Sequence, residues 1–186
     1  MTWIELDHSL YFLVNHMLAN PVLDWLAPLI RNKNTWIPFY VVACIFLYKR
    51  NKKEALQLVL LTVVAVVFTD VISNNLKHAF HRLRPCAVGE GRLLLKQCSN
   101  SFSFTSNHAA NHFAIAVMVS LWFRQTALTF ALLVWAAVIA FSQVYVGLHY
   151  PADVTAGAAL GVLVSSVVYV SFEYSPFANK KQINEL

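Results

Sequence analysis

Along the chain, long uncharged apolar runs alternate with short polar or basic joints. Residues 55 to 76 carry one charge, Asp70; residues 125 to 152 and 154 to 172 carry none; the stretch ending at Trp122 is apolar back to Ala114 and uncharged back to Gln97. Residues 34 to 48, between Lys33 and Lys49, form a shorter fifth run. A helix crossing a bilayer needs about 20 mostly apolar residues. The pattern therefore predicts helices over about 34–49, 54–80, 106–122, 126–148 and 151–173. Residues 8 to 31 also hold apolar side chains at helical spacing but are broken at Pro21, and each half is too short to span alone. They are expected as interfacial or re-entrant helices, or as one poor span. The expectation is an all-α integral membrane bundle of five or six helices in one domain, 1–186. Its parts are the N-terminal helices (1–33), a spanning bundle (34–173) with an outer loop (81–105), and a cytoplasmic tail (174–186).

Composition agrees. Of 186 residues, 58% are hydrophobic and 12% charged, against roughly half and a quarter in soluble domains. The formal charge of +5 does not point to nucleic acid, because the basic residues are scattered among loops and form no dense stripe. The first residues contain acids and no lysine or arginine, so no removable signal peptide is expected. The basic turn Lys49-Arg50-Asn51-Lys52-Lys53 favours the cytoplasm, and alternation of the helices adds Arg124, Lys180 and Lys181 to the same side. The loop 81–105 and the turn at His149-Tyr150-Pro151 then face outward. Lys and Arg are equally numerous on the two faces until those assigned below to phosphate are discounted. Cys86 and Cys98 share the outer loop, where a disulfide would close it if that side is oxidising; a reduced pair is the alternative.

Ionisable groups in or beside membrane spans are functional candidates by default, and three clusters of them stand out. The first is Lys77-His78-Ala79-Phe80-His81-Arg82-Leu83-Arg84-Pro85 at an outer helix end, with Asp70, Asn74 and Lys77 on one helix face; its bland alternative is a basic end reaching to headgroups. The second is Ser103 through His112, in which Thr105 or Ser106 is a suitable N-cap, so that the following amides and helix dipole form an anion site beside His108. His108 and His112 have the spacing of zinc helices, but Ala109 stands where the metalloprotease motif has Glu; a structural histidine pair is the other reading. The third is Ser142 through Asp153. Pro151 suits the start of a helix, placing Asp153 where it can fix one ring nitrogen of His149 and leave the other as an outward lone pair. Here the alternative is an Asp cap beside an unrelated histidine. All three fall on one predicted face, and cations, histidines, an aspartate and a helix N-terminus together suit a phosphoester.

Lys77 with six residues before Arg84-Pro85, then Ser106-Asn107-His108, then Ser142 with six residues before His149 and three more before Asp153, resembles the three-part signature of the type 2 phosphatidic acid phosphatases, over residues 77 to 153. The resemblance implies His149 as nucleophile forming a phosphohistidine, Asp153 orienting it, and His108 protonating the leaving oxygen and later activating water. It implies Lys77, Arg84, Ser106 and the following amides, Asn107 among them, as phosphate ligands, with no metal or organic cofactor. Two of the motifs depart from the family pattern. Thr105-Ser106-Asn107-His108 stands where the family has Pro-Ser-Gly-His, and Asn107 keeps an N–H and tolerates the unusual backbone angles of a glycine. Gln143 replaces an arginine, keeping donors for the phosphate but losing a cation; His78, His81 and Arg82 are candidate substitutes, and Gln143→Arg is expected to raise turnover if that cation is missing. The implied partner is a membrane lipid carrying a terminal phosphate or diphosphate, reached from the leaflet of an inner membrane with the site facing the periplasm or exterior. Undecaprenyl diphosphate is the first choice; a phosphatidylglycerophosphate, phosphatidate or lipid A phosphatase, or a weakened lipid-binding protein, are the alternatives. A vanadate-dependent haloperoxidase has a similar pocket, but the spans argue against it. Oligomeric state is left open.

Overall fold

The computed structural model describes residues 2–177; the end of the predicted cytoplasmic tail, from 178 and including Lys180 and Lys181, lies outside the described residues. Seven helices follow in order: α1 (Trp3–Phe12), running on into a wider turn (Leu13–Met17), α2 (Pro21–Arg31), α3 (Lys33–Arg50), α4 (Lys52–Phe80), α5 (Asn107–Phe123), α6 (Thr126–Tyr145) and α7 (Pro151–Glu173).

Local chemistry sets their ends. Thr2 and Glu5 exchange backbone and side-chain hydrogen bonds in a capping box at α1, and Asn20 caps α2 ahead of Pro21, satisfying amides that have no partner inside the helix. Asn51 makes the α3–α4 corner and caps α4. His81, with φ of 48°, stops α4. The sequence suggested that the sixth helix would reach 148, but it ends at Tyr145: Gly147 turns the chain at φ 87°, and the carbonyl of Arg92 occupies the space a Cβ there would need.

Helices α4, α6 and α7 are long and apolar enough to cross a membrane. Helix α3 has Lys33, Lys49 and Arg50 within its 18 residues, and α5 has only 17 and begins with the polar Asn107-His108. Large apolar side chains face outward, among them Leu60, Val67 and Phe68 of α4, Phe130 and Val134 of α6, and Leu163 and Val167 of α7. That outward apolar band is the surface a bilayer requires. The N-terminal helix has the same inverted character: Trp3, Ile4 and Phe12 point away, whereas Asp7, Tyr11 and Asn15 are buried.

Helix α5 runs through the centre, packed against α4, α6 and α7. Its contact with α7 is made of small residues: Ala109, Ala110 and Ala114 are fully buried, and they face Gly157, Gly161 and Ser165, one helical turn apart. A Cβ on Gly157 would lie 2.6 Å from the Ser106 carbonyl, one on Gly161 would collide with the Ala110 carbonyl, and Ser165 donates to the Ala114 carbonyl at 2.8 Å. Close backbone approach of this kind is how helices associate where lipid offers no hydrophobic driving force. Gly161→Ala is therefore expected to push α5 from α7 and cost roughly 1–3 kcal/mol, read as a lower unfolding temperature of the detergent-purified protein; an unchanged midpoint would mean that the two helices do not depend on this contact.

Candidate active site

The loop 81–105 and the ends of α2, α4, α5 and α6 surround a cavity of about 250 Å³ lined by Arg31, Asn74, Lys77, Arg84, Asn107, His108, Gln143 and His149, among others. Residues far apart in the chain thus share one wall. The loop is held closed by a disulfide between Cys86 and Cys98, whose Cα atoms are 5.8 Å apart.

His149 sits in the turn between α6 and α7, buried at 3% exposure. Its Nε2 lies 2.9 Å from Nη1 of Arg84. A guanidinium only donates, so Nε2 must carry the lone pair and the proton resides on Nδ1. On that side Asp153 Oδ2 is 3.6 Å away, with the hydroxyl of Ser103 between: its oxygen is 3.3 Å from Nδ1 and donates to the carboxylate at 2.5 Å. The carboxylate also accepts the backbone N–H of Tyr150 at 2.8 Å and Nη1 of Arg82 at 2.9 Å. Burial, helped by the Arg84 charge and opposed by Asp153, pushes the His149 imidazole down to about 4 from its ordinary 6.5. It is therefore neutral at ordinary pH.

Arg84 is fixed by three acceptors on two segments: Nε donates to the Ser101 carbonyl at 2.8 Å, Nη2 to the Ser101 hydroxyl at 2.9 Å, and Nη1 to the Leu148 carbonyl at 3.1 Å. Lys77, buried in the last turn of α4, donates to the carbonyls of Phe102, Ser103 and Thr105, tying loop to helix while lining the cavity.

Ser106 is the N-cap of α5, accepting from the Ala109 amide at 3.5 Å. It is fully buried and is not among the residues that line the cavity; its hydroxyl shapes the helix start. Asn107 turns its side-chain amide to Asp70 at 2.8 Å and its carbonyl oxygen to Ser73 at 2.9 Å, which commits that side chain to the α4–α5 contact. His108, in the first turn of α5, lines the cavity. His112 is held by a 2.7 Å bond from its ring to the His108 carbonyl and by an edge contact to Trp135. Among the described residues no group of three or more His, Cys, Asp or Glu could hold a metal ion.

The candidate substitutes for the missing arginine lie elsewhere. Arg82 is bound to Asp153 and, at 2.5 Å, to Asp7 of α1, with its guanidinium 4.2 Å over the Tyr150 ring. His78 and His81 are exposed and pack on Phe102. The structure instead adds Arg31, Ser101 and Ser103. Arg31 lies at the end of the N-terminal helices, outside the three clusters that stand out in the sequence.

The model of the PAP2 superfamily matches residues 54–177. A lipid A 4'-phosphatase of Porphyromonas gingivalis is 28% identical over 178 residues, covering 92% of this chain and 75% of that protein, and one of Bacteroides thetaiotaomicron is 30% identical, covering 84% and 72%. An undecaprenyl-diphosphatase of Sulfolobus acidocaldarius is 32% identical, covering 70% and 60%. The crystal structure of Aquifex aeolicus LpxE shares the fold with a TM-score of 0.74 at 24% identity, over 89% of this chain and 95% of that one. The transmembrane PAP2 type phosphatidylglycerolphosphate phosphatase of Bacillus subtilis shares it at 0.69 and 21% identity, over 94% and 89%. This chain, an integral membrane protein, belongs to the PAP2 superfamily of lipid phosphatases.

Proposed function

We propose that the protein is a lipid A phosphatase acting at the 4' position, with His149 as the nucleophile. The observation that carries the catalytic reading is the convergence of His149, Arg84, Lys77 and His108 on one cavity. The choice of lipid is supported by the relatives: both lipid A 4'-phosphatases match over more of the chain than the undecaprenyl-diphosphatase does. Undecaprenyl diphosphate, favoured by sequence reading, is thereby moved to second place.

In this reading the His149 Nε2 lone pair attacks phosphorus in line with the bond to the sugar oxygen. The N–P bond forms as that P–O bond breaks, and His108, charged by the proton that the phosphate monoester brings into the site, gives that proton to the leaving oxygen. Water, deprotonated by His108, then attacks the phosphohistidine, releasing inorganic phosphate and restoring both rings. Arg84 donates to Nε2 before substrate binds and must transfer that donor to a phosphate oxygen when it does. Lys77 and the α5 N-terminus add positive potential where charge builds in the transition state. Asp153 with Ser103 keeps the Nδ1–H tautomer and stabilises the ring as it becomes charged. The outward orientation is supported by the Cys86–Cys98 bond beside the site. It is also supported by the position of Arg50 and the start of α6 together, around a separate cavity with Glu54 and Trp122.

Phosphate release by the detergent-purified protein should be fastest from lipid A, slower from undecaprenyl diphosphate and phosphatidylglycerophosphate, and abolished by His149→Ala. A higher kcat/KM for the isoprenoid diphosphate would reverse the substrate order. Asp153→Asn should lower kcat by about three to four decades, as removal of the orienting carboxylate does in a Ser-His-Asp triad; a change under tenfold would leave Asp153 a structural cap. The depressed value for His149 sets the sign of the pH effect. The ring stays a nucleophile as pH falls through 6.5 and is protonated only near 4, so the acid limb of kcat/KM, corrected for the ionisation of the substrate phosphate, should lie below pH 5. A limb at 6.5 would mean that His149 is not desolvated in the working enzyme.

A further inference from the structure

Gln143 is wholly buried, lines the catalytic cavity, and has hydrogen-bond partners for neither Nε2 nor Oε1. A stranded donor and a stranded acceptor on one buried amide are costly unless something binds there. Across the same cavity stands Arg31, the last residue of α2. Its Nε is also buried without a partner, and among the described residues no carboxylate pairs with it, whereas Arg82, Arg92 and Arg124 are each paired with acids.

The helix that carries Arg31 is held firmly. Asp24 of α2 accepts from the Tyr145 hydroxyl at 2.6 Å and from Arg92, and Tyr145 lies two residues beyond Gln143 at the end of α6. The contacts that dock α2 therefore fix the relation between Arg31 and Gln143.

We propose that Arg31 is the third phosphate-binding cation of this enzyme, supplied from α2 in place of the arginine that Gln143 replaces on α6, and that Gln143 Nε2 donates to the same phosphate group. The bound phosphate gives acceptors to both stranded donors. The remaining Oε1 needs only one donor, and a guanidinium has five. The proposal rests on the phosphatase reading above, and it changes one expectation from the sequence. With Arg31 already present, Gln143→Arg alone should not raise turnover, because it buries a second guanidinium beside the first.

The test is phosphate release from lipid A by the purified wild type, Arg31→Ala, Arg31→Lys, Gln143→Arg and the double variant Arg31→Ala/Gln143→Arg, with His149→Ala as the blank. Thermal unfolding and size exclusion establish that each variant is folded. Loss of the cation should reduce kcat by about 10² to 10³-fold, Arg31→Lys should retain more activity than Arg31→Ala, and Gln143→Arg should recover at least tenfold in the Arg31→Ala background while giving no gain alone. A merely structural role for Arg31 would not be rescued from α6. Turnover by Arg31→Ala within threefold of the wild type, with His149→Ala inactive, would overturn the proposal and leave the phosphatase reading intact. If the wild type releases no phosphate from lipid A, undecaprenyl diphosphate or phosphatidylglycerophosphate, the reading of the reaction fails instead. Arg31 is then judged by calorimetric titration with inorganic phosphate: binding at least tenfold weaker in Arg31→Ala supports it, and equal binding overturns it.

Discussion

A carboxylate taken wholly out of water must be met by donors from the protein, because its desolvation is otherwise too costly to bear. Asp153 is in that position, with no exposed surface, and its donors come from separate parts of the chain. Ser103 reaches it from the loop 81–105, the Tyr150 amide from the start of α7, and Arg82 from the segment after α4. Arg82 extends the set to Asp7, whose other oxygen accepts the Ala152 amide at 2.8 Å. One buried charge thus draws the N-terminal helix, the loop and two spans to one point, with His149 beside it. The turn that carries His149 is ordered by the same bonds that close this end of the bundle.

The second constraint is dimensional. Helix α5 brings His108 to the site only because α7 can lie against its alanines, and α7 can do so only because Gly157 and Gly161 have no side chain. The polar layer around Asp153 and the small-residue seam beside it are complementary: one fixes orientation, the other depth.

The helices were legible in the sequence because membrane spans are written as uncharged runs, and the charges that interrupt those runs are few enough to be read one by one. Lys77, Arg84, His108, Gln143 and His149 all line the cavity for that reason. The limits of such reading are equally physical. Spacing along a helix says which residues share a face, but not which acid a loop guanidinium will meet. Arg82 looked available as a phosphate ligand and is bound to two carboxylates, while Arg31 fell outside the three clusters and lines the cavity. Its place depends on Tyr145 meeting Asp24, 121 residues apart, a contact with no local signature. Ser103 was visible as part of a cluster, but only the folded loop puts its hydroxyl between Asp153 and His149.

The match to the family begins at residue 54, after α1, α2 and α3. Yet Asn15 bonds the carbonyls of Arg92 and Tyr145, Asp7 holds Arg82, and Arg31 closes one side of the cavity. The segment ahead of the matched region is therefore part of the wall of the cavity that His108 and His149 line. A chain built this way divides one enclosure between two parts: His108, His149 and Asp153 stand on the matched bundle, while the helices ahead of it set the shape and charge of one side and, through Asp7 and Asn15, hold Arg82 and the loop in register with them.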